Sequence, residues 1–343
     1  MSFFVTAIDH RSPPTIGEHS QVHNHSMKDR RCVLFAGDSS QKLVESIAKI
    51  PHMGIEVGNI YHHKFPSGEW YCQLKENVRG DDVFLINAIC EPANDNLMQL
   101  LIMADAARRA SADRITAVIP YFGYQRQDRK DKPRVPISAK LIMNLIEASG
   151  IQRVITMDLH AQQIQGFTDL PVDHLYFQPT LAKALTTFNI QVIVAPDIGA
   201  VKKASEYAER EKLDIAFIVK KRKNDTDVEV TQFVGDVKGK NVLVLDDLTE
   251  SAGTIISAAN CCKTNGADKV YAAVTHGCLS RIGIARLNEA TMNGTIKHFF
   301  CSDTVTEDIV QAGAGGTIVS VAEVFAKAIH GTHFNESITS LFQ

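Results

Sequence analysis

Along the chain, short and wholly apolar runs alternate with longer stretches in which apolar residues recur every three or four positions. The first pattern is that of strands covered on both faces, the second that of amphipathic helices. The run Cys32–Ala36 is followed by Gly37-Asp38-Ser39-Ser40 and then by the helical period of Gln41–Ile50. Alternation at Trp70–Leu74 and the apolar run Val83–Ile86 predict two further strands. A helix is expected over Asn96–Arg109, with Asn94 or Asp95 as its cap, and it leads into the buried strand Ile115–Phe122. A helix over Ile137–Ala148, the strand Arg153–His160 and the block Ile190–Arg210 repeat the theme. After the strand Ile215–Val219 comes the charged stretch Lys220–Val230, which has no apolar period. The strand Val242–Leu245, a helix from Ile255, the strands Lys269–His276, Ile296–Cys301 and Thr317–Val321, and a last helix to about His330 complete the chain.

This alternation predicts the α/β class, as two similar open domains with mostly parallel sheets. At 343 residues there is enough chain for two cores. The expected division is an extension over residues 1–31, a first domain over 32–180 and a second over 181–327, with residues 328–343 packing back on the first. The extension holds His10, His19, His23 and His25 beside Pro13-Pro14, and it lacks both sustained periodicity and the Arg-rich character of a transit peptide.

Polar residues at the predicted strand ends carry the candidate chemistry, because open α/β sheets bind ligands in the crevice at the carboxyl ends of their strands. Asp246 and Asp247 follow one strand, and Ser251, Ala252, Gly253 and Thr254 lead into a helix N-terminus that favours anions. Paired aspartates beside an anion cradle would repel a bare phosphate but suit sugar hydroxyls or a divalent cation, so a sugar phosphate is the expected ligand. His160 and Asp197 stand at two other strand tips, positions suited to metal or phosphate. The most basic segment, Tyr124–Pro136, carries Arg126, Arg129, Lys130, Lys132 and Arg134 at a strand end and is read as a polyphosphate loop. Lys220, Lys221, Arg222 and Lys223 form either a solvated hairpin tip or a lid bringing cations onto a phosphoryl group.

Composition narrows the partners. A net charge of −3 leaves no global nucleic-acid footprint, and no apolar run reaches the length of a membrane span. Seven cysteines without CxxC or zinc spacing read as reduced thiols, and with no signal peptide the expected location is cytoplasmic. There is no GxxxxGK[ST] loop, and the Gly313–Gly316 cluster lacks the third glycine of a dinucleotide fingerprint.

From about Val33 to Leu341 the chain resembles the ribose-phosphate pyrophosphokinases (PRPP synthetases) of class I. The resemblance rests on Glu76–Gly80, Pro120–Lys140, Thr156–Asp173 and the 246–254 loop, which type I phosphoribosyltransferases share. It implies transfer of the β,γ-diphosphate of ATP to the anomeric hydroxyl of ribose 5-phosphate, with Mg2+ required. Phe65, Ser67 and Glu69 would hold adenine together with Arg126, Gln127 and Asp131, which serve across a subunit contact. His160 and Asp197 would sit at magnesium and the phosphates. Asp246, Asp247 and Glu250–Thr254 would hold ribose 5-phosphate, and Lys220 and Arg222 match the lid pair. Ser67 stands where the family has Asp or Asn, and Glu250-Ser251 where it has Asp-Thr. Dimer-based hexamers, ADP inhibition and phosphate activation are implied as well. A silent regulatory subunit and a phosphoribosyltransferase are the alternatives.

Overall fold

The computed structural model describes residues 30–222, 229–305 and 316–342, excepting the side chains of 220–222, 229–231 and 342. Nearly all of the predicted extension, Lys223 and the first three residues of the 313–316 cluster lie outside that range. From Arg31 onward the chain is one compact unit.

Two sheets build it. The first has six strands, β1 (Cys32–Ala36), β2 (Ile55–Val57), β5 (Asp82–Ile86), β6 (Arg114–Ile119), β7 (Arg153–Met157) and β8 (Val172–Leu175), in the order β2-β1-β5-β6-β7-β8. All its pairings are parallel. The hairpin of β3 (Ile60–Lys64) and β4 (Trp70–Leu74) stands apart as a two-stranded antiparallel ribbon. Helices α1 (Gln41–Ala48), α2 (Ala93–Arg109) and α3 (Ser138–Ala148) connect these strands. The chain then passes through α4 (Gln178–Leu185), so residues 180 and 181 share one helix.

The second sheet has seven strands in the order β11-β10-β9-β12-β13-β14-β15. They are β9 (Val192–Ala195), β10 (Asp214–Arg222), β11 (Glu229–Val234), β12 (Val242–Thr249), β13 (Val270–Gly277), β14 (His298–Ser302) and β15 (Gly316–Val319). Only β10 and β11 pair antiparallel. Helices α5 (Val201–Glu211), α6 (Gly253–Thr264), α7 (Arg281–Met292) and α8 (Ala322–Phe334) flank it. Chain order reverses between β1 and β5 in the first sheet and between β9 and β12 in the second, which makes both junctions switch points with an open crevice above them.

The apolar runs are explained by burial on both faces: all eight residues of β13 are buried. One core cluster lies between the sheets, joining Phe84 and Ile155 to Leu243 and Phe300 through Leu181, Tyr207, Phe325 and Ile329 of the intervening helices. A second cluster packs α2 and α3 on the far face of the first sheet, and a third packs α6 and α7 on the far face of the second. The end of α8 docks on the base of the first sheet: Arg114, paired with the buried Asp82, donates to the Thr332 carbonyl at 2.9 Å, and His333 Nδ1 lies 2.9 Å from Asp82.

Three boundaries differ from the pattern-based expectation. The strand expected to end at Leu245 runs on to Thr249, because parallel pairing with β13 continues through Leu248 and Thr249. Lys220–Arg222 likewise continue β10, their backbone paired with Glu229–Thr231, and a main-chain ladder makes no demand on apolar side chains. Neither Asn94 nor Asp95 caps α2, whose N-cap is Pro92. Asp95 instead accepts hydrogen bonds from Lys64 at 2.7 Å and Trp70 at 3.3 Å, which tethers the β3–β4 hairpin to that helix.

Candidate functional site at the strand tips

Two adjoining clefts open at the carboxyl ends of the strands. The first, of ≈ 700 Å³, is walled by Arg126, Gln127 and Asp131 from the basic loop, His160 from the end of β7, and Gly199 and Lys203 at the start of α5. The second, of ≈ 870 Å³, lies among Tyr121, Tyr124, Glu250, Ser251, Cys278 and Ser280. Arg126 and Gln127 border both. Between the clefts Arg126 Nη1 reaches Glu250 Oε2 at 2.9 Å, with both side chains more than half exposed. Such a pair is worth at most about 1 kcal/mol, so an entering ligand displaces it easily.

His160 is delivered by a turn. Beyond β7 the backbone takes a positive φ of 42° at Asp158, and the His160 N–H then donates to Gln125 Oε1 at 2.8 Å. The imidazole Nδ1 lies 2.6 Å from Asp247 Oδ2. That hydrogen bond raises the pKa of His160 against the opposing effect of burial. Burial works to raise Asp247, but the His160 hydrogen bond and the charge of Lys203 outweigh it and hold the carboxylate well below its usual range. Asp246 moves the other way, pushed up by burial and by the charges of Asp247 and Asp197. The two aspartates expected to act as equals are therefore different: Asp247 is an ion paired with His160, and Asp246 retains its proton at higher pH.

The 250–254 loop, expected to hold a sugar phosphate, is fixed from outside. Ala252 is buried and adopts a left-handed backbone at φ 58°, which turns the chain from β12 into α6. The Glu250 carbonyl accepts the Ser280 N–H at 3.0 Å, and Arg286 donates to the Ser251 carbonyl at 3.4 Å. Ser251 Oγ lies 3.5 Å from the Gly253 N–H, and Thr254 is exposed in the first turn of α6, whose leading N–H groups have no partner within the helix. This leaves backbone donors free at the turn from β12 into α6, though Asp246, Asp247 and Ala252–Thr254 line neither cleft.

Of the residues singled out from sequence, the first cleft gathers Arg126, Gln127, Asp131 and His160. Phe65, Ser67 and Glu69 line neither cleft; they form the tip of the β3–β4 hairpin, where Ser67 donates to Glu69 at 2.6 Å and Phe65 is 44% exposed. Asp197 spends one oxygen on the Ala200 N–H at 3.1 Å, just before α5. The side chains of Lys220 and Arg222 lie outside the described residues. Among the described residues no three His, Cys, Asp or Glu side chains converge into a metal cage. Sequence reading passed over Asp158 and Lys203, since an acid one residue past a strand and a lysine on a charged helix carry no periodic signal. It also passed over Gln125, whose buried Nε2 has no hydrogen-bond partner.

Residues 32–150 match the family described as the N-terminal domain of ribose phosphate pyrophosphokinase, and residues 229–343 match the phosphoribosyl synthetase-associated domain. The chain is similar to ribose-phosphate pyrophosphokinase A of Dictyostelium discoideum, with 44% identity over 320 residues, 91% of this chain and 98% of that one. It is equally similar to the ribose-phosphate pyrophosphokinase of Clostridium acetobutylicum, 44% identical over 314 residues that span 90% of this chain and 97% of the other. The solved phosphoribosylpyrophosphate synthetase of Mycobacterium smegmatis superposes with a TM-score of 0.82 at 35% identity, covering 89% of this chain and 100% of that one.

Proposed function

The chain belongs to the ribose-phosphate pyrophosphokinase family and is a ribose-phosphate diphosphokinase, and we propose that its substrates meet at the strand tips, ATP in the first cleft and ribose 5-phosphate at the turn from β12 into α6. The observation that carries this assignment is the bond between His160 and Asp247, which links a nucleotide-side residue to the sugar-side acids at 2.6 Å.

In this reading the first cleft takes ATP, with Arg126, Gln127 and Asp131 toward its adenine side and His160 at the phosphates. Asp246 and Asp247 accept from the ribose hydroxyls, while the backbone of Ser251–Thr254 and the start of α6 cradle the 5-phosphate. The anomeric hydroxyl then faces the β-phosphorus of ATP. Displacement there spreads negative charge over the equatorial and leaving oxygens, so positioning and fixed cations do the catalysis and no covalent intermediate on the protein is needed. Lys220 and Arg222 are the cations assigned to that charge. The products are AMP and PRPP.

Mg2+ fits the donor set. Asp197, Asp246 and Asp247 gather carboxyl groups near the tips of β9 and β12, where burial first and the charges of Asp247 and Asp197 second push Asp246 up, and oxygen ligands of this kind suit a hard divalent cation that fills its remaining positions with phosphate and water. His160 and Asp197 would hold it. When bound, the ion neutralises the triphosphate and aligns it for attack.

The hairpin tip with Phe65, Ser67 and Glu69 is presented outward on an exposed aromatic ladder, Phe65 and Tyr71 with Tyr61 and His63. We assign it to the adenine of a neighbouring copy's cleft, in a homo-oligomer built from dimers. The deciding experiment is AMP and PRPP formation by the purified chain from ATP, Mg2+ and ribose 5-phosphate. A folded chain that makes neither product overturns the assignment and returns the silent-subunit reading.

A further inference from the structure

The first cleft contains a cation that none of these roles uses. Lys203 is the third residue of α5, its side chain is 22% exposed, and its Nζ is buried without a hydrogen-bond partner. The carboxylate facing it is Asp158, whose Oδ1 is 3.9 Å away and is likewise buried and unpartnered. The other oxygen of Asp158 is committed, accepting the Phe177 N–H at 3.2 Å and the Thr275 hydroxyl at 2.5 Å. Ammonium and carboxylate thus neutralise each other across a gap too long for an N–H···O bond. Three ammonium donors are left unmatched.

As a purely structural device this is poor. A cation in the first turn of a helix opposes the helix dipole, and an ammonium taken out of water without hydrogen bonds is destabilising. Both penalties are offset if an oxygen-rich anion enters the cleft and accepts the donors. The surroundings favour that ligand over a sugar hydroxyl: Lys202, Arg126, Arg129 and Lys132 line the same cleft, and an ammonium has donors but no acceptor to offer. The charge of Lys203 also acts on both His160 and Asp247, so it stands near the expected point of transfer.

We propose that Lys203 is a further polyphosphate-binding residue: Asp158 holds its ammonium at the cleft wall in the free enzyme, and the side chain turns onto a phosphate oxygen of the nucleoside triphosphate when it binds. This rests on the reading of the first cleft as the ATP site. Lys203→Met keeps the apolar stem and removes the charge, Lys203→Arg keeps the charge, and Lys203→Met with Asp158→Asn removes both members of the pair. Binding of a non-hydrolysable ATP analogue with Mg2+ is measured by calorimetry for each, together with KM and kcat for both substrates.

Loss of a charged hydrogen bond should weaken analogue binding by about 10- to 100-fold in Lys203→Met, with a much smaller change in the KM for ribose 5-phosphate. Lys203→Arg should retain most of the affinity. The double variant should stay weak, and it carries the test if the single variant does not fold. Wild-type affinity in the double variant overturns the proposal, because Lys203 would then serve only to neutralise Asp158. A wild-type chain that binds no analogue sinks the ATP reading of the cleft and the proposal with it, whereas tight wild-type binding unaltered by the substitutions sinks the proposal alone.

Discussion

His160 and Asp247 come from different sheets, one just beyond β7 and the other within β12, and meet with Nδ1 2.6 Å from Oδ2. In the proposed assignment the contact joins the nucleotide side of the site to the sugar side, and it makes the two neighbouring acids different. Asp247 answers to His160, and Asp246 answers to burial and to its acidic neighbours.

Substitution should separate them. Asp246→Asn is expected to weaken ribose 5-phosphate by about 1–3 kcal/mol through the lost carboxyl hydrogen bond, with little effect on ATP. Asp247→Asn should weaken both substrates and let His160 titrate nearer its ordinary value, because the bond that raises it is gone. NMR titration of His160 and the two KM values measure this. An unmoved His160, or identical substrate profiles for the two variants, would contradict the division of labour.

Gly283 in the first turn of α7 carries a second expectation. A Cβ there would stand 2.2 Å from the Glu250 carbonyl oxygen, which also accepts from Ser280. Gly→Ala within a helix normally gains about 1 kcal/mol. Here the overlap should reverse the sign, with Gly283→Ala destabilising by about 1–3 kcal/mol and raising the KM for ribose 5-phosphate as the loop is displaced. A more stable variant with unchanged KM would mean that the loop yields freely.

Lys220 and Arg222 are assigned to the transferring phosphoryl group. Alanine at either should lower kcat by about 10²-fold or more while leaving ground-state affinities nearly unchanged, as for other preorganised contacts to developing charge. Lys221→Ala and Lys223→Ala are the controls. Equal effects at all four positions would reduce the run to a solvated basic tip.

Two buried histidines should each contribute less stability in mild acid. Burial holds His174 and His276 down at about 4, so between their unfolded value near pH 6.5 and pH 4 the unfolded chain binds protons that the folded chain refuses. Their contribution is fully present above that unfolded value and declines with falling pH by up to about 1.4 kcal/mol per unit for each histidine. His160 and Asp246, both raised, work in the opposite sense. The histidine contribution is therefore read as a difference between chains: from pH 7 to pH 5 the urea midpoint of His174→Asn should fall less, or rise more, than that of the wild type. Parallel profiles would show that His174 takes up its proton in the fold.

The sequence by itself determined the α/β class, the two parallel sheets, and the strand tips at which chemistry collects, because runs buried on both faces, such as Val270–His276, leave little alternative. It also marked Arg126, Gln127, Asp131 and His160, which share one cleft, since charge clustered after an apolar run is visible locally. Only the tertiary structure decided the rest. The inequality of Asp246 and Asp247 arises from a histidine 87 positions away in the chain. The outward placement of Phe65, Ser67 and Glu69 follows from a hairpin that joins neither sheet. Asp158 and Lys203 face each other because the turn after β7 approaches the first turn of α5, and no window of sequence contains both. Periodicity records which face of each element is buried; which polar groups meet across the join depends on how the elements are assembled.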